Sequence, residues 1–278
     1  MLPSVSPPRL DELVSPGRRF ALGIALLGAH FLAGGSEIWG FLPDPLPLAI
    51  GPLITLVPAL VLTRWLGASV RESFAFHWPS PAQLGWAALT GLALVLPSRI
   101  LGAINTQLIE PAEWFVESME ELIPSGPEEW ISHLLLIGLL VPVAEETVFR
   151  GLLQPAAEPA FGPARAAIII GVMFALFHFS PWFLLPLAVI GMVLGLTRWI
   201  TGSVVACIVV HGAYNSGSVV LGEWMKHVSE DGQTVPALVA GLLTAGAFVS
   251  AWLCWSAMGR LRPVRPATGE TAPPAGGG

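Results

Sequence analysis

The chain has 278 residues, 54% of them hydrophobic and only 12% charged, with a net charge of −6 and a mean hydropathy of +0.70. That is far too apolar for a soluble domain, and with no basic patch it excludes a nucleic-acid partner. The two cysteines, Cys207 and Cys254, are too few for a disulfide framework or a thiolate metal site, and both fall in apolar segments where they read as packing residues.

The N-terminal segment 1–19, "MLPSVSPPRLDELVSPGRR", lacks the short apolar core and small-residue cleavage site of a signal peptide, so the first hydrophobic helix is expected to stay as an anchor. A helix crosses a hydrocarbon core in roughly 20 apolar residues. Segments of that kind are predicted over 20–41, 46–66, 83–105, 132–158, 163–180, 183–200, 203–223 and 235–258. The fold class is therefore all-α: a polytopic membrane helical bundle of about eight transmembrane helices occupying residues 20–259. Between the third and fourth spans lies an acidic stretch in which Trp114, Phe115, Met119 and Leu122 recur at helical spacing. It reads as one short interfacial helix. Residues 260–278 form a Pro/Gly-rich tail with too little apolar surface to fold.

Orientation follows from the distribution of positive residues among the loops. Eight spans with a cytoplasmic N-terminus put Arg9, Arg18, Arg19, Arg64, Arg71, Arg165, Arg198, Arg260, Arg262 and Arg265 inside, and leave Lys226 in an outer loop. Both termini are then cytoplasmic. Interfacial tryptophans agree, with Trp65 and Trp199 at inner ends and Trp39, Trp130, Trp182 and Trp224 at outer ones. The lipid bilayer is the expected surroundings; a composition rich in Pro and Ala, with arginine far ahead of lysine, suits a GC-rich bacterium, so the expected location is a bacterial inner membrane.

An ionisable group at the bilayer centre costs about 3 kcal/mol, so each one inside a span needs a partner or a purpose. Four places stand out: Glu145, Glu146 and Arg150 in "VPVAEETVFRGLLQ"; His178; His211 with Asn215; and Arg99. Glu146 and Arg150 are four apart and can pair on one helix face. Glu145 sits about 100° away without an intrahelical partner. A neutralised Glu146 beside a spare Glu145 is what a general base needs; a plain buried ion-pair network is the structural alternative. The turn "FGP", Phe161 to Pro163, ends one helix with Gly and starts the next with Pro. Glu145 lies 17 residues before Gly162 and His178 lies 16 after it, so both stand about 25 Å from the bend. In "HGAYN", His211 and Asn215 share a face, and Gly212 admits a close neighbour. His211 is only about 13 Å from the turn at Gly202, so it reaches the depth of Glu145 only if the Gly162 hairpin projects from the membrane. Arg99 is expected to snorkel outward or to meet the acidic interfacial segment. Neither GxSxG nor HExxH occurs.

In order, "EETVFR" (Glu145 to Arg150), "FALFH" (Phe174 to His178) and "HGAYN" (His211 to Asn215) match the EExxxR, FxxxH and HxxxN motifs. The chain in this respect resembles the CPBP intramembrane proteases, the CAAX protease and bacteriocin-processing or abortive-infection family that includes the type II CAAX prenyl endopeptidase. The resemblance covers about residues 130–220. It implies an intramembrane endopeptidase that cleaves a membrane-anchored or lipidated protein near its C-terminal anchor or lipidated end. Carried over by position, Glu145 would activate a water, His178 would orient it, and His211 and Asn215 would hold the water or the oxyanion. Glu146, Arg150 and Phe174 would support them.

The family is described both as metal-dependent and as glutamic. A zinc ion on Glu145, His178 and His211 is the metal alternative, since zinc takes carboxylate and imidazole ligands; no cofactor is the favoured reading, because a metal-bound Glu145 would leave only Glu146 as base. Outside proteolysis, the same residues suit a proton or ion carrier, a haem held by His178 and His211, or an immunity or scaffold protein. An outward-facing site would trim membrane-anchor tails of exported proteins; a cytoplasmic one would process peptides or lipidated proteins.

Overall fold

The computed structural model describes residues 6–34, 46–121, 124, 126–230 and 237–261. The end of the first predicted span with Trp39, Leu122 of the interfacial segment, and the tail from residue 262 with Arg262 and Arg265 lie outside the described residues. Among those described, all regular structure is helical. The long elements are α1 (Pro16–Gly34), α2 (Pro47–Trp65), α3 (Pro81–Leu108), the short α4 (Glu113–Glu121), α5 (residues 127–161), α6 (Pro163–Leu176), α7 (Leu184–Thr201), α8 (Val204–Glu230) and α9 (Ala237–Arg260). Five of them, α2, α3, α5, α7 and α8, are long and apolar enough to cross a membrane. The chain is on that basis an all-helical integral membrane protein.

The helix limits follow local chemistry. Ser80 opens α3 with a capping box: its hydroxyl accepts from the Gln83 N–H at 3.2 Å, and Gln83 Oε1 accepts from the Ser80 N–H at 3.1 Å. Gly162, at φ 76°, ends α5, and Pro163 starts α6, as the "FGP" sequence predicts. Several predicted boundaries move: α5 starts at residue 127 rather than 132, α8 runs on to Glu230 rather than ending at 223, and α6 falls short. The fifth span was expected to run to residue 180, but α6 stops at Leu176, because the chain turns through Phe179 at φ 47° toward Pro181. A non-glycine residue in that region of φ is strained and persists only where surrounding contacts hold it.

Those contacts come from α3. The buried Asn105 accepts from the Leu185 N–H at 2.9 Å and donates to the Pro181 carbonyl at 2.7 Å, clamping the turn between α6 and α7. Trp182 adds an indole N–H to the Glu110 carbonyl at 2.9 Å. The interfacial α4 closes over the same turn, with the buried Phe115 ring 4.5 Å from that of Trp182 and 5.5 Å from that of Phe183. Asn105→Ala strands a backbone donor and an acceptor, and is expected to cost about 1–3 kcal/mol. A lowered unfolding midpoint in detergent checks this.

Apolar side chains gather in two clusters. One joins α1, α2, α5 and α6 through Leu27, Ala59, Phe149, Leu153, Ile170 and Phe174; the other joins α3, α7, α8 and α9 through Leu94, Ile190, Leu194, Val210 and Met258. The most extensive helix contact, between α6 and α7, depends on small residues. A Cβ on Gly191 would strike the Gly171 carbonyl, and one on Gly195 the Ala167 carbonyl, so these backbones touch. Gly202, at φ 70°, turns the chain from α7 into α8. The Ser203 hydroxyl and the Val204 N–H then donate to the carbonyls of His77 and Ala75, fixing where α8 begins. Beside them His77 is buried, which pushes its imidazole below its ordinary value against the pull of Glu72, 3.4 Å away. Phe174 belongs to the first cluster and Val210 to the second. The polar residues singled out in the sequence lie where the two clusters meet.

Candidate active site

Two π turns shape the helix that carries Glu145, Glu146 and Arg150. They span Leu136–Leu140 and Phe149–Leu153, and each is followed two residues later by a proline, Pro142 and Pro155. In the first, the Val141 N–H bonds the Leu136 carbonyl, skipping its α-helical partner Ile137. The π-helical donor for Ile137 would be residue 142, and proline has no N–H. That orphaned carbonyl accepts a hydrogen bond from Asn215 Nδ2 at 2.9 Å. Asn215 thereby ties α8 to the widened turn of α5. The approach is close because a Cβ at Gly212 would run into the Gly138 carbonyl.

Glu146 and Arg150 form the pair their spacing predicts. Both are fully buried, with Nη1 3.0 Å from Oε1, and Arg150 Nη2 donates to the Gly191 carbonyl at 2.8 Å. The same Glu146 oxygen lies 2.9 Å from His211 Nδ1. A carboxylate already neutralised by arginine accepts this bond, so Nδ1 of His211 carries the hydrogen. His178 has a parallel constraint. Its own N–H bonds the Ala175 carbonyl where α6 ends, leaving the Phe174 carbonyl without its helical donor. His178 Nδ1 replaces that donor at 2.7 Å, which gives the F-x-x-x-H spacing a physical cause. In the neutral imidazoles, both Nε2 atoms are then acceptors.

Both Nε2 atoms face Glu145. His178 Nε2 is 4.0 Å from Oε1 and His211 Nε2 is 3.9 Å from Oε2. These separations exceed a direct hydrogen bond, yet one water with contacts of about 2.8 Å could span each of them. Glu145 itself is 13% exposed, and its Oε2 has no hydrogen-bond partner among the described residues. The Phe174 ring forms the floor, 4.6 Å from the His178 ring and 5.7 Å from that of His211, with the Arg150 guanidinium 4.7 Å from its centre.

The carboxylate opens into a cavity of about 90 Å³ lined by Leu27, His30, Phe31, Phe149, Phe177 and His178. His30, on α1, is the residue that sequence reasoning missed. Its Nδ1 lies 3.0 Å from the Thr55 hydroxyl, which donates to the Gly51 carbonyl at 2.9 Å. Gly51 makes room for the ring, since a Cβ there would lie 2.8 Å from His30 Nε2. Cost of burial would have flagged this histidine in the first span too.

Asn215 and Arg99 line a different cavity of about 460 Å³, with Ser98, Met119, Tyr214 and Ser218 among its walls. Arg99 donates to the Ser218 carbonyl at 3.4 Å and shares this cavity with Val116 and Met119 of the acidic helix α4. The site chemistry thus draws together Glu145, Glu146, Arg150, Phe174, His178 and His211, with Asn215 one turn away on the Ile137 carbonyl.

A zinc ion held by three of these side chains would stand about 2.0–2.2 Å from each, placing ligand atoms roughly 3.4 Å apart. The two separations from Glu145, 4.0 and 3.9 Å, are wider, and among the described residues no three His, Cys, Asp or Glu side chains are close enough to hold a metal ion. As arranged, the donor set does not fit the metal.

Compared with known families, residues 127–217 match the family described as type II CAAX prenyl endopeptidase Rce1-like. No curated protein and no solved structure matches the chain at a comparable level. The matched stretch runs from the start of α5 through α6 and α7 to the middle of α8, and it contains all three motifs. Residues 127–217 are accordingly similar to the Rce1-like, CAAX-type prenyl endopeptidases, and they are carried on a bundle of apolar helices.

Proposed function

We propose that this protein is an intramembrane endopeptidase in which Glu145 activates water directly. The supporting observation is the spare carboxylate of Glu145 facing two imidazole Nε2 atoms at 3.9 and 4.0 Å beside an open cavity. A carboxylate with its neighbour Glu146 already paired is free to take and return a proton. As water oxygen attacks the scissile carbonyl carbon, Glu145 takes its proton. The tetrahedral intermediate then collapses, the C–N bond breaks, and Glu145 returns the proton to the leaving amine. His178, fixed on the Phe174 carbonyl, orients the water. In its doubly protonated form, with hydrogens on both Nδ1 and Nε2, His211 donates from Nε2 to the oxyanion, where a preformed donor in a dry site acts strongly. Asn215 sets the depth of His211 through the Ile137 carbonyl, and Glu146, Arg150 and Phe174 brace the floor.

The substrate is a membrane-anchored or lipidated protein cut near its C-terminal anchor or lipidated end. Trimming the anchor tail of an exported protein suits the cavity of about 460 Å³ beneath the amphipathic α4, which is roomy enough for an apolar segment. We place the protein in a bacterial inner membrane with eight spans and both termini cytoplasmic, on the loop charges and the composition. The test is incubation of purified protein in liposomes with single-span substrates carrying short C-terminal tails, read by mass spectrometry. Cleavage at one position near the tail supports the reading; intact substrates with pH-driven ion flux would make the protein a carrier.

His30 shares the Glu145 cavity and belongs to the same reading as a positioning residue. His30→Asn is expected to lower kcat about tenfold while KM changes less than about twofold. Thr55→Val, which releases the His30 ring, should give a smaller loss in the same direction. A normal kcat in His30→Asn would remove it from the site.

A further inference from the structure

Four polar residues recur at every fourth position of α5: Glu146, Arg150, Gln154 and Glu158. The first three are fully buried. Their bonds show that the stripe faces α7, since Arg150 donates to the Gly191 carbonyl and Gln154 Nε2 to the Gly195 carbonyl at 3.1 Å. The next residue on that face of α7 is Arg198, within electrostatic range of Glu158, as is Arg19 of α1. A polar track thus runs from His211 and Glu146 to the Gly162 end of the bundle, through helices that are otherwise apolar.

Much of this track lacks protein partners. Glu146 Oε2, Arg150 Nε, Gln154 Oε1, Thr197 Oγ1, Arg198 Nε and Arg19 Nε are all buried without a hydrogen bond among the described residues. In the second π turn the Gln154 N–H goes to the Phe149 carbonyl, and Pro155 offers none, so the Arg150 carbonyl has neither helical donor. Left bare, these groups would cost an amount comparable to the whole stability of a domain. They are of both kinds. Carboxylate and amide oxygens need donors, guanidinium nitrogens need acceptors, and they alternate along the track. An ion satisfies only one kind; water satisfies both.

We propose that the stripe from Glu146 to Glu158 holds a column of ordered water that feeds the site from the Gly162 end of the bundle. Its use in hydrolysis rests on the protease reading above; the hydration itself does not. Each cleavage consumes one water, and the cavity beside Glu145 is walled largely by Leu27, Phe31, Phe149 and Phe177, so bound substrate closes that side to solvent. The column ends at Glu146 and His211, whose Nε2 is 3.9 Å from Glu145 Oε2, and supplies the site from behind.

Cys207 reports on it. The thiol is fully buried, bonded to the carbonyls of Leu194 and Ser203, and within electrostatic range of Glu146, Arg150 and Arg198. Met258 is equally buried and belongs to the same apolar cluster as Cys207, but it lies on α9, which carries no residue of the stripe. Radiolytic hydroxyl-radical labelling of the full-length protein in ¹⁸O-water, read by mass spectrometry, compares the two sulfurs. The column predicts that Cys207 labels at least tenfold faster than Met258, and that Gln154→Leu or the near-isosteric Thr197→Val lowers Cys207 labelling several-fold. Equal, slow labelling of both sulfurs in the wild type overturns the column. If labelling follows the prediction while both folded variants keep wild-type kcat, the supply role is overturned. Labelling as predicted in a protein that cleaves nothing would sink the protease reading and leave the column standing.

Discussion

Glu145→Gln should lose about 10²–10⁴-fold in kcat, the range a positioned general base contributes, while the fold is unchanged. Glutamine keeps the shape of glutamate and loses the ability to take a proton. Since Glu145 Oε2 has no hydrogen-bond partner among the described residues and the histidines stand 3.9 and 4.0 Å away, no bond is broken by the exchange. Unfolding should shift by less than about 1 kcal/mol. Separation of the two effects matters, because an ion-pair network with no catalytic duty would lose stability and activity together. Kinetics and an unfolding curve on the same preparation distinguish them.

Arg150→Met should show the opposite pattern, with a loss of about 3–5 kcal/mol in stability. Arg150 and Glu146 are both fully buried. Removing the guanidinium leaves the Glu146 carboxylate uncompensated except by His211, frees the Gly191 carbonyl, and takes a cation from the Phe174 ring. Burial of an unpaired charge accounts for most of the cost. Against a total stability of about 5–15 kcal/mol, the variant should unfold markedly earlier in detergent. Arg150→Met with Glu146→Leu removes both charges and should recover part of the loss, since paired deletion leaves no bare ion. An Arg150→Met protein as stable as wild type would mean that the pair does not hold α5.

Most of the site was legible as spacing. The four-residue step from Glu146 to Arg150 places them on one face, and the 17 and 16 residues on either side of Gly162 bring Glu145 and His178 to one depth; both relations hold in the structure. His211 was harder. Its distance of about 13 Å from the Gly202 turn, against about 25 Å for Glu145 from Gly162, does not match for straight parallel helices, yet the two side chains meet. Residue counts measure depth from the nearest turn; they say nothing of helix tilt or of how far each turn stands from a common plane. The π turns were not anticipated either, although Pro142 and Pro155 were a signal, each removing the donor that a widened turn would need. His30 was overlooked because no polar residue accompanies it at helical spacing. Its partners, Thr55 and Gly51, are on the next helix. The early end of α6 was hidden for a related reason, since Asn105 of α3 holds the strained turn at Phe179.

The central claim is that Glu145 activates water without a metal ion. It is tested most directly by single-turnover cleavage of a tail-anchored substrate by wild-type protein stripped with a tight zinc chelator and assayed in its presence. Full activity in the stripped protein, still abolished by Glu145→Gln, is the predicted result. Activity lost on stripping and restored by added zinc would contradict it and make Glu145, His178 and His211 metal ligands.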